Sequence, residues 1–187
     1  GEKISALAIT EPSGGSDVAA IKTKAVREGD HYILNGENTF ITSGIRADYY
    51  TVAVKTDQNA QGAKGISMLL VDAHSKGITK SPLKKMGWWA SDTAHLHFDN
   101  VQVPVSHLLG EENAGFKVIM NNFNMERFWL AAMAYGYALV CYEEALDWAK
   151  QRQTFGKRLV DHQVVRHKLV DMATQLTATR ALLEDTA

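Results

Sequence analysis

His31-Tyr32-Ile33-Leu34-Asn35-Gly36-Glu37-Asn38-Thr39-Phe40-Ile41-Thr42 is the stretch on which the fold of this chain turns. Its two ends are rich in the β-branched and aromatic residues of strands. Asn35-Gly36 between them is the dipeptide favoured where antiparallel strands meet in a two-residue turn. The stretch therefore reads as a hairpin. The same vocabulary extends outward in both directions. Upstream, Ile4 to Thr10 and Ile21 to Arg27 read as strands parted by Pro12-Ser13-Gly14-Gly15. Downstream come Tyr49 to Lys55, Ile66 to Val71, Ala94 to Phe98 and Val101 to Val103, with a polar stretch from Asp57 to Lys64 and a stop at Pro104. Many short strands with no helix between them predict an antiparallel β-barrel or sandwich.

From Gly115 the period changes. Phe116, Ile119, Met120 and Phe123 recur at helical spacing, and helical character runs on to about Gln153. Between Phe128 and Tyr142 the helix is apolar nearly all round, which predicts burial on several sides, Cys141 included. Thr154-Phe155-Gly156-Lys157 interrupts it. A second helix is expected from near Asp161 to the end, with Val165, Leu169, Met172, Leu176 and Leu183 on one face. The fold class is then α+β: a β-domain over residues 1–112 followed by two long helices over 113–187. Two helices cannot enclose a core, so they call for partners from further chain or from another subunit. Gly1 in place of an initiator Met, and an end that still reads as helix, suggest a piece of a longer protein.

Composition removes several classes of function. With 45% hydrophobic and 22% charged residues the chain is neither disordered nor fibrous. Twenty basic against 21 acidic side chains leave a net charge of -1, without the basic excess of a nucleic-acid binder. No apolar run approaches the roughly 20 residues of a membrane span. The single cysteine, Cys141, has no internal partner and suits a reducing compartment.

Three local features carry chemistry. Ile9-Thr10-Glu11-Pro12-Ser13-Gly14-Gly15-Ser16-Asp17 leaves a strand, turns, and ends on hydroxyl and carboxylate groups. Consecutive backbone N–H groups in such a turn can hold an anion, and a plain strand connection is the alternative. It is neither a Walker loop nor a GxGxxG turn. In Phe40-Ile41-Thr42 an aromatic and a hydroxyl two apart share a strand face. They suit a flat ring and one hydrogen bond, or else Phe40 is a core aromatic. In Glu126-Arg127 a carboxylate sits in an apolar helical section, either as a general base or as half of a surface ion pair. His95 and His97 lack a third ligand, and His162 and His167 are five apart, so no metal site is expected. Trp88-Trp89 reads as packing.

Taken in order, these segments resemble the acyl-CoA dehydrogenase family over nearly the whole chain. Thr10-Glu11-Pro12 with Gly15-Ser16-Asp17 is similar to its first flavin-binding motif, and Phe40-Ile41-Thr42 to its second, where Trp commonly replaces Phe. Met86-Gly87, Ser91-Asp92-Thr93, Phe98, Val101 and Val103-Pro104 follow its β-domain. Gly115-Phe116-Lys117 opens its long helix, and Arg152-Gln153-Thr154-Phe155-Gly156-Lys157 precedes His162-Gln163.

The resemblance implies an N-terminal helical domain, a middle β-barrel and a C-terminal four-helix bundle in a homo-oligomer, dimer or tetramer. It would lie in the cytoplasm, or in the mitochondrial matrix of a eukaryote. It implies FAD as cofactor and acyl-CoA as substrate. The α-proton goes to a carboxylate, the β-hydride to flavin N5, and the electrons to an electron-transfer flavoprotein. Leu7, Ile9, Thr10, Gly15, Ser16, Phe40, Ile41 and Thr42 would wrap the flavin. Arg152, Thr154, Phe155, His162 and Gln163 would meet FAD on the adjacent subunit. Ser16, Asn124 and Arg127 would contact CoA, although Asp is common where Asn124 stands and Lys where Gln153 stands. The resemblance assigns the base to Glu126, as in the long-chain and isovaleryl-like branch, whereas most members carry it further along the chain. An oxidase or flavin monooxygenase on the same scaffold, or a non-catalytic β-sandwich module with a helical arm, are the alternatives.

Overall fold

His31–Thr42 is one strand of 12 residues, not a hairpin, in the computed structural model, which describes all residues from Gly1 to Ala187. The chain divides into two compact units, Gly1–Met120 and Asn121–Ala187. The first holds eight strands: β1 (Ser5–Ala8), β2 (Lys24–Glu28), β3 (His31–Thr42), β4 (Tyr49–Lys55), β5 (Ile66–Asp72), β6 (Ile78–Pro82), β7 (Thr93–Pro104) and β8 (Leu108–Leu109). They form a sheet in the order β6-β7-β3-β2-β4-β5-β8, with β1 on β4.

The turn expected at Asn35-Gly36 lies instead at Gly29-Asp30, where Glu28 pairs with His31 and Gly29 takes φ +61. A glycine at the first central position is what a type II′ hairpin turn needs. Asn35 and Gly36 serve the interior of the sheet. Gly36 lies so close to β2's approach that a Cβ would sit 2.5 Å from Thr23 Oγ1 and 2.7 Å from Thr23 Cα. Asn35 Oδ1 accepts the Asn100 N–H at 2.9 Å.

That bond braces a bulge in β7. Leu34 pairs with Val101 and Gly36 with Phe98, so Asn35 alone faces Asp99 and Asn100. Asn100 takes φ +51. For this reason β7 is one strand where the sequence reads as two. A second bulge falls on β3. Asn38 pairs with Leu96 and Ile41 with Ala94, so Thr39 and Phe40 together face His95. Phe40 takes φ +59. A bulge bends its strand and re-aims side chains, and this one decides the site described below.

The fold class is the expected one, refined in two respects. The sheet is not closed into a barrel, since β6 and β8 are its free ends. It is also mixed, because β1 runs parallel to β4 and β2 meets β4 in parallel at Lys24–Lys55. It curls over itself like a sandwich: Tyr50 of β4 packs edge-on against Phe98 of β7, ring centroids 6.3 Å apart, although β2 and β3 lie between those strands. Around this pair Tyr32, Leu34, Val52, Leu69 and Leu96 are wholly buried. Each such large side chain is worth about 1.5–3 kcal/mol in area removed from water.

The tyrosine hydroxyls in this core are satisfied. Tyr32 donates to Glu112 Oε1 at 3.0 Å and Tyr50 to the Gly44 carbonyl at 2.6 Å. Burial, reinforced by the charge on Asp92, pushes the Tyr50 phenol up to about 12. The unfolded chain therefore gives up this proton first as pH rises. Stability from Tyr50 is complete below the ordinary tyrosine range near 10 and declines as pH approaches about 12. Urea midpoints taken between pH 9 and 12 are expected to fall in the wild type and to fall less in Tyr50→Phe.

The second unit follows from the long helix α1 (Gly115–Gln151), then β9 (Gln153–Thr154), β10 (Lys157–Arg158) and α2 (Gln163–Thr186). Phe128, Ala132, Tyr135, Leu139 and Tyr142 are half-buried at helical spacing, and Tyr135 lies within electrostatic reach of Arg180 on α2. The burial expected all round residues 128–142 is not met within this chain. Trp129 is 67% exposed, and Tyr137, Val140 and Cys141 are exposed as well. A rod that is apolar on every side needs cover on every side, and α2 is a single neighbour. No helix is long and apolar enough to cross a membrane.

Candidate active site

In the first unit, Glu11 organises the loop that follows β1. It is buried, and its Oε1 and Oε2 accept the Lys22 N–H at 2.9 and 2.8 Å, while Oε1 accepts the Thr23 N–H at 2.7 Å. Glu11 and Gly14 exchange backbone hydrogen bonds at 3.1 and 3.0 Å, closing a tight turn over Pro12-Ser13. Gly15 then packs on Thr10: a Cβ there would lie 3.2 Å from Thr10 Cγ2. Ser16 is exposed and Leu7 and Thr10 are half-buried, whereas the Ile9 side chain is in the core. An open hollow of about 260 Å³ lies against this loop, lined by Glu11, Ser13, Asp17 and Lys22 among others.

The loop is joined to the β3 bulge. Thr39 N–H donates to the Thr10 carbonyl at 2.9 Å. Past that point the bulge turns Phe40 out, 70% exposed, in a left-handed conformation that is an outlier for a bulky residue. The alternative of a core aromatic is thereby excluded. Thr42 is exposed as well, and Ile41 between them is buried, so only its backbone faces outward. The chain just beyond Thr42 is pinned by Asp92, whose Oδ2 accepts the Ile45 N–H at 2.7 Å and whose Oδ1 meets Arg46 Nε at 3.1 Å. Strain held by such bracing, with an apolar ring spread in solvent, points to a ligand surface.

In the second unit, Phe155-Gly156 is the two-residue turn between β9 and β10, with φ +50 and +72. Phe155 is 97% exposed and stands edge-on to the half-buried His162, whose Nε2 lies 3.3 Å from Thr154 Oγ1. Arg152 and Gln163 flank this hairpin, both exposed. On α1, Glu126 is half-buried and accepts a hydrogen bond from Asn122 Nδ2 at 2.5 Å. Arg127 donates to Asn124 Oδ1 at 3.2 Å and lies over the Phe123 ring. The Glu126–Arg127 ion pair is absent because consecutive helical residues diverge by about 100°. No group of acidic, histidine and cysteine side chains could hold a metal. His95 instead meets Glu37 at 3.3 Å.

Residues 6–101 match the family model described as the acyl-CoA dehydrogenase middle domain, and residues 113–187 match that of the C-terminal domain. The chain belongs to the acyl-CoA dehydrogenase family. It is 41% identical to the mitochondrial long-chain specific acyl-CoA dehydrogenase of Mus musculus, over 98% of this chain and 43% of that protein. It is 39% identical to cyclohexane-1-carbonyl-CoA dehydrogenase of Geobacter metallireducens, over 97% of this chain and 47% of that one. The crystal structure of an acyl-CoA dehydrogenase from Geobacillus kaustophilus matches with a TM-score of 0.96 at 43% identity, covering 99% of this chain and 49% of that one. The chain thus spans about half the length of the relatives it matches.

Within this acyl-CoA dehydrogenase segment, sequence reading missed one residue that shapes the site, Asn38, and the bracing roles of two others. Asn38 could have been found, because it falls in the same alternating phase as the inward Tyr32 and Leu34, where a polar residue is out of place. Glu11 and Asp92 stand in the Thr10-Glu11-Pro12 and Ser91-Asp92-Thr93 motifs, but their bracing roles had no local signal: their partners lie 11 and 47 residues away.

Proposed function

We propose that the full-length protein is an FAD-dependent acyl-CoA dehydrogenase acting on the Cα–Cβ bond of an acyl-CoA thioester. Residues 1–112 are its flavin-binding domain, and residues 113–187 open its C-terminal helical domain. When bound, FAD would supply the hydride acceptor at N5 and a redox centre from which an electron-transfer flavoprotein could take the electrons.

The observation that carries this reading is the bulge that holds Phe40 outward two residues before the exposed Thr42. It offers a flat apolar face beside a hydroxyl donor, which fits a ring with polar edge atoms. Gly15 fits too, since a side chain there would press on Thr10 and open the loop. In this reading Leu7, Ile9, Thr10, Gly15 and Ser16 line the same ring, Ile9 and Ile41 through their backbone. Arg152, with a planar fork of donors, offsets pyrophosphate charge of FAD on an adjacent subunit, beside Thr154, Phe155, His162 and Gln163. The protein is accordingly a homo-oligomer, a dimer or tetramer, of the cytoplasm or the mitochondrial matrix.

Glu126 takes the substrate's α-proton onto its carboxylate. Half-burial on an apolar helix weakens competing solvation, and Asn122 holds one oxygen in a fixed direction. Ser16, Asn124 and Arg127 bind the CoA portion.

Anaerobic titration of the full-length protein with a panel of acyl-CoAs tests the reading, with loss of flavin absorbance as the expected result. Rapid peroxide formation in air would turn it toward an oxidase. A colourless protein that takes up no FAD would overturn it.

A further inference from the structure

We infer that Asn38 is a positioning residue for the flavin site, strapping the Ile9–Thr10 segment to the Thr39–Phe40 bulge so that both present one rigid edge to the ring. The inference rests on the FAD reading above. Asn38 has no exposed surface, and its Nδ2 donates to the carbonyls of Ile9 and Thr10, each at 3.2 Å. Thr39 N–H reaches the same Thr10 carbonyl at 2.9 Å. The loop of the first segment therefore hangs on two consecutive residues of β3, and the next residue is the strained, outward Phe40.

The other half of the amide is left over: Asn38 Oδ1 is buried without a partner. An amide retained for stability alone would be satisfied at both ends or replaced by an apolar side chain of the same shape, because an unpaired buried acceptor is costly. One-sided use fits a strap. Both amide hydrogens go to the carbonyls that set the path of the site loop, and the acceptor is tolerated. Without Asn38, one hydrogen bond from Thr39 would join the loop to β3, and the Glu11 bonds would hold it only to the Lys22–Thr23 segment, so the two flavin-facing segments would be free to shift against each other.

Two variants of the full-length protein test this. Asn38→Leu removes the strap and the orphaned acceptor together, while Asn38→Asp keeps the size but turns an oxygen toward two carbonyls. The FAD dissociation constant, read from flavin fluorescence, is expected to rise about tenfold in Asn38→Leu and further in Asn38→Asp. Thermal unfolding of the FAD-free Asn38→Leu protein is expected close to the wild-type temperature, because loss of the orphaned Asn38 acceptor offsets the loss of the Ile9 carbonyl's donor, whereas a purely structural role would lower it and leave FAD affinity unchanged. Amide hydrogen exchange at Thr39, measured without FAD, is expected to quicken about tenfold in Asn38→Asp. FAD affinity within about twofold of wild type in either folded variant, or unchanged Thr39 exchange, overturns the positioning role. A wild-type protein that binds no FAD overturns the proposed function instead, and the exchange measurement still decides on the strap.

Discussion

Glu126→Gln in the full-length protein is expected to retain FAD and to lower the rate of flavin reduction by acyl-CoA by about 10²–10⁴-fold, the usual worth of a positioned general base. Glutamine preserves the size of the side chain and can still accept from Asn122, which now bonds Glu126 at 2.5 Å. What it loses is the capacity to take a proton. The measurement is single-turnover flavin bleaching without oxygen, beside the flavin content of the purified variant. Retained flavin with near wild-type bleaching would move the base to a residue outside Gly1–Ala187. Lost flavin would mean that the substitution disturbed more than proton transfer. Arg127 does not compensate, since its guanidinium is engaged by Asn124 and the Phe123 ring.

The second large effect is on stability. Gly36→Ala is expected to cost about 2–4 kcal/mol, from overpacking together with a strained backbone. The new methyl would lie 2.5 Å from Thr23 Oγ1 and 2.7 Å from Thr23 Cα, and the latter, being backbone, cannot swing aside. The local φ of +150 adds to the penalty for an L side chain. Gly14→Ala is the control: nothing lies within 4 Å of the added carbon, and its midpoint should stay within about 0.5 kcal/mol of wild type. Urea unfolding with an unchanged slope would assign the Gly36 loss to the native state. Equal midpoints for the two variants would refute the close approach of Thr23 to β3 at this point.

These two residues mark how far the sequence could be read. Glu126 was legible as a site by its chemistry, because a carboxylate on an apolar helix demands an explanation. Its neighbour relations were not, since Arg127 is adjacent in sequence and yet points elsewhere, while Asn122, four residues back, makes the contact. Gly36 was legible as a special backbone position and misread as a turn. The competing device was a register adjustment. β7 carries one extra residue opposite Asn35, whose side chain braces it, and Gly36 beside it is bare because Thr23 passes close on its other side. The short edge strands β6 and β8 were not foreseen, since five and two residues carry too little pattern to be read alone.

By itself the sequence determined that a β-unit precedes a long helical one, that this order of motifs belongs to the acyl-CoA dehydrogenases, and which side chains bear usable chemistry. Those properties are local: a period of two or of 3.6, a turn residue, a carboxylate out of place. Only the tertiary structure decided that Phe40 is thrown outward, that Glu11, Asn38 and Asp92 brace the loops around it, and that the sheet curls without closing. The bonds of Glu11, Asn38 and Asp92 join residues 11 to 47 positions apart and the bulges pair residues still further apart, so both depend on a register of strands that no short window of sequence contains.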